Sequence, residues 1–335
     1  MGVEQMVWIP SHRVGGFYTK PISEDTFLKT AEQSQGLWEP RKWCWMTMPS
    51  PAIALWILNF VALAGHLGIA TAVIVEGVKS YEALDFPLYT IVATWHNITA
   101  DGFTYTMERS EFGKLNLTVI CALFSMISAT AHLVIVVSTS YKPWSGWYYN
   151  GIARCRMTWR WVEYFFSAPL MSIALLLVGG IREVTIMLLV FVGQATTMTC
   201  GFLVESSANP TYKGASGWGR SLSSRLAPFW VGCLSMVPTW VAFVYAFYSN
   251  VGRAKERRGV EPPSWVYAII WAEVALFTSF TFPILWYQSR HPKYYWKTEL
   301  WYSVLSLVAK LVLNGTLMAQ VFIRGRLDLS SDDSN

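Results

Sequence analysis

The run Tyr302-Ser303-Val304-Leu305-Ser306-Leu307-Val308-Ala309-Lys310-Leu311-Val312-Leu313 carries a single basic group, Lys310. It lies about twelve residues from either end of an apolar segment, roughly 299 to 323, that is long enough to cross a bilayer. An unpaired ammonium at that depth costs several kcal/mol. Snorkelling from mid-segment would need far more than one side-chain length. A buried lysine can condense with an aldehyde, so Lys310 reads as the amine that holds a carbonyl cofactor as a Schiff base. The alternative is a lysine paired with an acid on a neighbouring helix.

Working outward, the rest of the chain has the same character. Apolar residues make up 53% of the 335 and charged residues only 14%, which excludes an ordinary soluble domain. Seven segments are long and apolar enough to span, at about 50–76, 115–140, 155–179, 183–206, 226–249, 264–288 and 299–323. The expected fold is an all-α membrane protein, a seven-transmembrane-helix bundle forming one domain over 49–325. It is preceded by a polar extension, 1–48, and followed by a short tail, 326–335. The extension has no apolar core and does not read as a cleaved signal peptide. Cys44, Cys121, Cys155, Cys200 and Cys233 lack metal spacing and read as small packing residues. No metal cluster or nucleic-acid patch is evident, and the net charge of +5 fits a membrane surface.

Lys and Arg counts set the orientation. The N-terminal segment and the second, fourth and sixth loops hold about fourteen basic residues and the opposite side about ten, so the N-terminus is expected in the cytoplasm and the C-terminus outside. The first loop, about 77 to 114, is too long to lack structure of its own. Pro87–Trp95 and Gly102–Met107 are β-branched and aromatic, with Asn97–Asp101 as a turn, and predict an extracellular β-hairpin that caps the bundle. Asn97-Ile98-Thr99 within it is a glycosylation sequon.

Three acids fall inside spans: Glu163 in the third, Glu205 at the end of the fourth and Glu273 in the sixth. The third and seventh spans run in the same direction, and Glu163 and Lys310 lie at similar depth. A carboxylate beside a protonated Schiff base stabilises its charge, which makes Glu163 the counter-ion candidate. The competing reading pairs Glu163 with Arg160, one turn earlier.

Arg160-Trp161-Val162-Glu163-Tyr164, with Glu299, Tyr302 and Leu305-Ser306-Leu307-Val308-Ala309-Lys310, resembles the heliorhodopsins. The resemblance extends to Ala64-Gly65-His66-Leu67, Ala131-His132-Leu133, Gly201 and Glu205, Pro228-Phe229, Pro238 to Trp240, and Trp265-Val266-Tyr267, covering about 50 to 325. It implies all-trans retinal on Lys310, Glu163 as counter-ion, an inverted topology with a cytoplasmic N-terminus, and a homodimer in the lipid bilayer. It also implies a photoreceptor rather than an enzyme, with a pocket drawn from Trp161, Gln194, Met198, Gly201, Pro238, Trp240, Phe280 and Ser306. His66, His132, Arg160, Glu205 and Glu273 form a candidate proton network, in which the two histidines either share the Schiff-base proton through water or are satisfied core residues. The long extension departs from the family, and so does Glu273, where relatives carry an apolar residue. An acid at that depth is either functional or a neutral residue hydrogen-bonded to a neighbouring helix.

These features support two functions. The first is a photosensor whose rearrangement is read by an unknown signalling partner. Ser306, one turn before Lys310, stands where microbial proton pumps place a second carboxylate, which disfavours an outward pump. The second is a light-gated proton or cation channel using Glu163, Glu205 and Glu273. An animal-type opsin is disfavoured, because its Asp/Glu-Arg-Tyr and Asn-Pro-x-x-Tyr strings are absent. A retinal-free transporter or enzyme would stay colourless when given retinal.

Overall fold

A computed structural model describes residues 50–79, 81–99, 102–140, 145–153, 155–207, 222–288 and 295–324. The extension 1–48, Cys44 and the tail 326–335 lie outside them. Among the described residues seven helices are long and apolar enough to cross a membrane: Pro51–Val78, Leu117–Ser140, Thr158–Val178, Val184–Ser207, Leu226–Arg258, Ser264–Trp286 and Tyr295–Ile323. Helices are the form expected here, because in lipid each backbone N–H and C=O must find its partner within the segment. Successive spans pack side by side from the first to the fifth, and the seventh packs against both the sixth and the first, closing the bundle. The third span is the most enclosed, with 72% of its apolar window buried against 22% for the fifth, so its side chains dominate the interior.

Two spans depart from their expected form. The fifth continues to Arg258 rather than ending near 249, because Arg253, Lys255, Arg257 and Arg258 favour the negative end of a helix in water. It stops at Gly259, whose φ of +65° and N–H to the Lys255 carbonyl (2.9 Å) form a left-handed cap. The sixth is interrupted, with helices Ser264–Ser279 and Thr281–Gln288 meeting at Phe280. Pro283 has no N–H for the Ser279 carbonyl four residues back, and the chain adjusts there.

The first loop is a two-stranded antiparallel hairpin, β1 (Asp85–Thr99) and β2 (Gly102–Asn116), longer than expected at both ends. Charged Glu108, Arg109 and Glu111 gave no strand signal, yet they pair with Val92, Ile91 and Tyr89 because an exposed ribbon tolerates charge. β1 also runs through Asn97–Thr99, which sequence assigned to the turn, with a register shift between His96 and Thr99. Asn116 joins the hairpin to the bundle. Its Oδ1 accepts from the N–H groups of Thr118 (2.9 Å) and Val119 (3.3 Å), capping the second span, while its Nδ2 donates to Tyr81 O (2.9 Å) and Asp85 Oδ1 (2.8 Å). Tyr89 N–H donates to the Arg182 carbonyl (2.9 Å), docking β1 on the turn between the third and fourth spans. Leu84, Phe86, Leu88 and Leu115 reach the main apolar core, so the hairpin packs against the bundle. Among the described residues Cys121, Cys155, Cys200 and Cys233 form no disulfide.

Candidate functional site

Lys310 is 2% exposed, and its Nζ donates to Glu163 Oε1 at 2.7 Å and to Ser306 Oγ at 2.8 Å. The same carboxylate oxygen accepts from Ser128 Oγ at 2.5 Å and Ser167 Oγ at 2.7 Å. Helical spacing explains two of these hydroxyls. Ser306 is four residues before Lys310 and Ser167 four after Glu163, so each hydroxyl stands one turn from its partner. Ser128 comes across from the second span. Three charge-assisted or hydroxyl donors on one oxygen offset much of what an anion loses when it leaves water.

Arg160 does not pair with Glu163. It bonds Glu205 (Nη2 to Oε1, 2.5 Å) and Glu299, and its guanidinium lies 4.2 Å from the Tyr302 ring centroid. Glu205 is held further by Tyr295 OH (2.7 Å), Trp161 Nε1 (2.7 Å) and Met157 N–H (3.1 Å). Two buried ionic groups therefore stand one helical turn apart along the third span. One is centred on Lys310 and Glu163, the other on Arg160, Glu205 and Glu299.

His66 and His132 stack with centroids 5.5 Å apart and planes 13° from parallel. His132 Nδ1 is bonded to Asn59 Oδ1 (2.8 Å), and Asn59 Nδ2 donates to Tyr148 OH (3.2 Å) in the helix Ser145–Ala153. Burial holds the Tyr148 phenol above its ordinary range, so it stays a neutral hydroxyl. Both ring nitrogens of fully buried His66 lack a hydrogen-bond partner among the described residues. The same is true of both carboxyl oxygens of Glu273, which is 0% exposed and within electrostatic range of Lys310. The hydrogen bond to a neighbouring helix expected of a purely structural Glu273 is therefore missing among these residues.

The Lys310 amine stands at one end of a crevice lined by Tyr164, Ser167, Ala168, Met171, Met198, Phe277, Phe280, Ser306 and Ala309. Through Met198, Phe277 and Phe280 it continues into a second, lined also by Trp161, Gly201, Cys200, Cys233, Met236 and Tyr302. Gly201 is required there, because a Cβ would collide with the Trp161 indole. An amine beside two adjoining, nearly apolar crevices lined by aromatic side chains suits an apolar aldehyde such as retinal. Of the remaining expected pocket residues, Trp240 lines a separate small crevice with Ser172 and Phe243 but touches Phe277, ring centroids 5.2 Å apart. Gln194 is fully buried, its amide without a partner among the described residues. Pro238 is corrected, because it is exposed. Two residues along a helix is a turn of about 200°, so an inward Trp240 puts Pro238 outward. Sequence reasoning gave no role to Ser128, Ser167, Glu299, Tyr295 or Asn59. Only Ser167 had a legible signal, its spacing from Glu163.

No curated protein matches the chain. Among solved structures, Exiguobacterium sibiricum rhodopsin is similar with a TM-score of 0.54 at 14% identity, over 83% of this chain and 98% of that one. The thermophilic rhodopsin from Rubrobacter xylanophilus gives 0.48 at 15%, over 80% and 95%. The first of these likenesses concerns the fold. The heliorhodopsin family model matches residues 55–322, most of the chain, and the protein belongs to that family of retinal-binding, light-sensing membrane proteins.

Proposed function

We propose that the protein is a photosensor in which Lys310 holds all-trans retinal as a protonated Schiff base with Glu163 as its counter-ion. The observation that carries this reading is the 2.7 Å Lys310–Glu163 contact, buried at the end of the aromatic crevice. When bound, retinal supplies visible absorption and a light-driven change of shape. The chain supplies the rest. Glu163, steadied by Ser128 and Ser167, holds the positive charge at Lys310 Nζ. Tyr164, Phe277 and Phe280 exclude water, and the unpartnered nitrogens of His66 are open to a proton. Ser306 at the second carboxylate position of pumps supports sensing over pumping. Lys and Arg counts support a cytoplasmic N-terminus and an extracellular hairpin, and the family resemblance supports a homodimer and a signalling partner.

One observation favours a second reading, a light-gated proton or cation conductance. Glu273 is buried and unpartnered within range of Lys310, as a relay acid would be. Glu205 fits that reading poorly, since Arg160, Trp161, Tyr295 and Met157 all hold it. The test is whole-cell recording under voltage clamp in cells supplied with all-trans retinal. A coloured protein with no steady photocurrent supports the sensor, steady current supports conduction, and a colourless protein overturns both.

A further inference from the structure

One turn beyond Lys310, the seventh span is tied to the second through a buried amide. Asn314 stands four residues after the lysine, on the same helix face, and is 0% exposed. Its Nδ2 donates across to Ser125 Oγ (2.7 Å) and to the Cys121 carbonyl (3.3 Å). A carbonyl can only accept, which fixes the orientation of the amide. Oδ1 is left without a hydrogen-bond partner among the described residues. A leucine would fill similar space with no orphaned acceptor, so asparagine here costs stability, which points to a use in placing its neighbours. Those neighbours lead to Glu163. Cys121, Ser125 and Ser128 follow at four- and three-residue spacing on one face of the second helix. The Ser128 hydroxyl lies within reach of two acceptors, Glu163 Oε1 at 2.5 Å and the Phe124 carbonyl of its own helix at 3.1 Å. It has one hydrogen to give. A small slide or rotation of the second helix would return that hydrogen to Phe124.

We propose that Asn314 is a positioning residue for the counter-ion: by holding Ser125 it keeps the second helix where Ser128 donates to Glu163 rather than to Phe124. The inference rests on the reading of Glu163 as counter-ion. The second and seventh spans run in opposite directions, so the step from Lys310 to Asn314 on one matches the step from Ser128 to Ser125 on the other. The seventh helix thereby acts on the same carboxylate twice. Lys310 holds Glu163 directly, and Asn314, one turn away, holds the helix that brings it a hydroxyl. The titratable groups facing Glu163 are Lys310 from the seventh span, His132 from the second and Tyr164 from its own, while Glu273 of the sixth faces Lys310. The hydrogen bonds of Asn314 go to none of these groups.

The experiment titrates the full chain, loaded with all-trans retinal, from neutral to acid pH and follows the band shift that marks proton uptake by the counter-ion. A carboxylate that loses a hydrogen-bond donor takes up its proton more readily, so the midpoint should move to higher pH. Asn314→Leu should raise it by about one unit, the scale of one hydrogen bond to a charged group. Ser125→Ala, which removes the acceptor from the other helix, should move it the same way and carries the test if Asn314→Leu does not fold. Ser138→Ala, which removes a buried hydroxyl bonded to the Ile135 carbonyl of its own helix (3.0 Å), should leave the midpoint in place. In a Ser128→Ala background, Asn314→Leu should add no further shift, because the hydroxyl through which it acts is gone. A midpoint unmoved by Asn314→Leu or Ser125→Ala, even with lower thermal stability, would make the amide a tie between helices and overturn the proposal. A full additional shift in the Ser128→Ala background would overturn it too. Persistence of the acid transition in Glu163→Gln would instead overturn the counter-ion reading, and this inference with it, whereas a transition that needs Glu163 but ignores Asn314 rejects this inference alone.

Discussion

Oε1 of Glu163 accepts from Lys310, Ser128 and Ser167 in the buried interior of the bundle. Removing either member of such a pair leaves a buried charge uncompensated, at about 3–5 kcal/mol. Lys310→Ala should abolish visible absorption in membranes supplied with all-trans retinal, since no other lysine lies at that depth. Retained colour would move the attachment elsewhere. Glu163→Gln keeps the size and one acceptor but removes the negative charge, so the protonated pigment loses its stabilising partner. Its proton should leave at lower pH than in the wild type, with a shifted absorption band, followed by spectral titration. An unchanged titration would transfer the counter-charge to another acid, Glu273 first.

At the scale of elements, the joint between hairpin and second span rests on one side chain. Asn116 caps the helix with its carbonyl oxygen and holds Tyr81 and Asp85 with its amide. Asn116→Ala should cost about 1 kcal/mol for the lost cap alone and more for the freed hairpin, read as earlier thermal bleaching of the pigment. Asn116→Asp keeps the cap but sets a carboxylate against Asp85 and the Tyr81 carbonyl, so it should recover none of the hairpin's share of the loss. The spans were legible because lipid imposes one requirement on every residue of a segment, length in apolar side chains. Where they end and bend was less so. The fifth ends through Gly259 and basic residues that no apolar window registers, and the sixth breaks because a carbonyl four residues before Pro283 loses its donor. Lys310 and Glu163 were legible because charge in an apolar run stands out. Ser128 was not, because nothing in a sequence says which small hydroxyl of a neighbouring helix faces an acid. Pro238 was misplaced because a motif names neighbours in sequence, whereas a helix sends Pro238 and Trp240 to opposite sides.

Over the whole molecule, the buried acids differ in how they are held. Glu163 is tied to a cation and two hydroxyls, and Glu205 and Glu299 share Arg160. Glu273 alone among these has neither a cation at contact distance nor a hydrogen bond among the described residues. Continuous proton conduction needs acids that can each gain and lose a proton in turn, and Glu205, clamped by four groups, is poorly placed to do so. The arrangement therefore favours a closed electrostatic unit that stores a light-driven displacement over a chain of exchanging sites. Glu273→Gln preserves volume and leaves the Lys310–Glu163 contact untouched, so the variant should keep its colour close to the wild type, and neither protein should give a steady photocurrent at matched expression across several external pH values. A steady wild-type current that Glu273→Gln removes without changing colour would reverse this reading and make Glu273 the relay. A current equal in both would support conduction by a path that does not use Glu273.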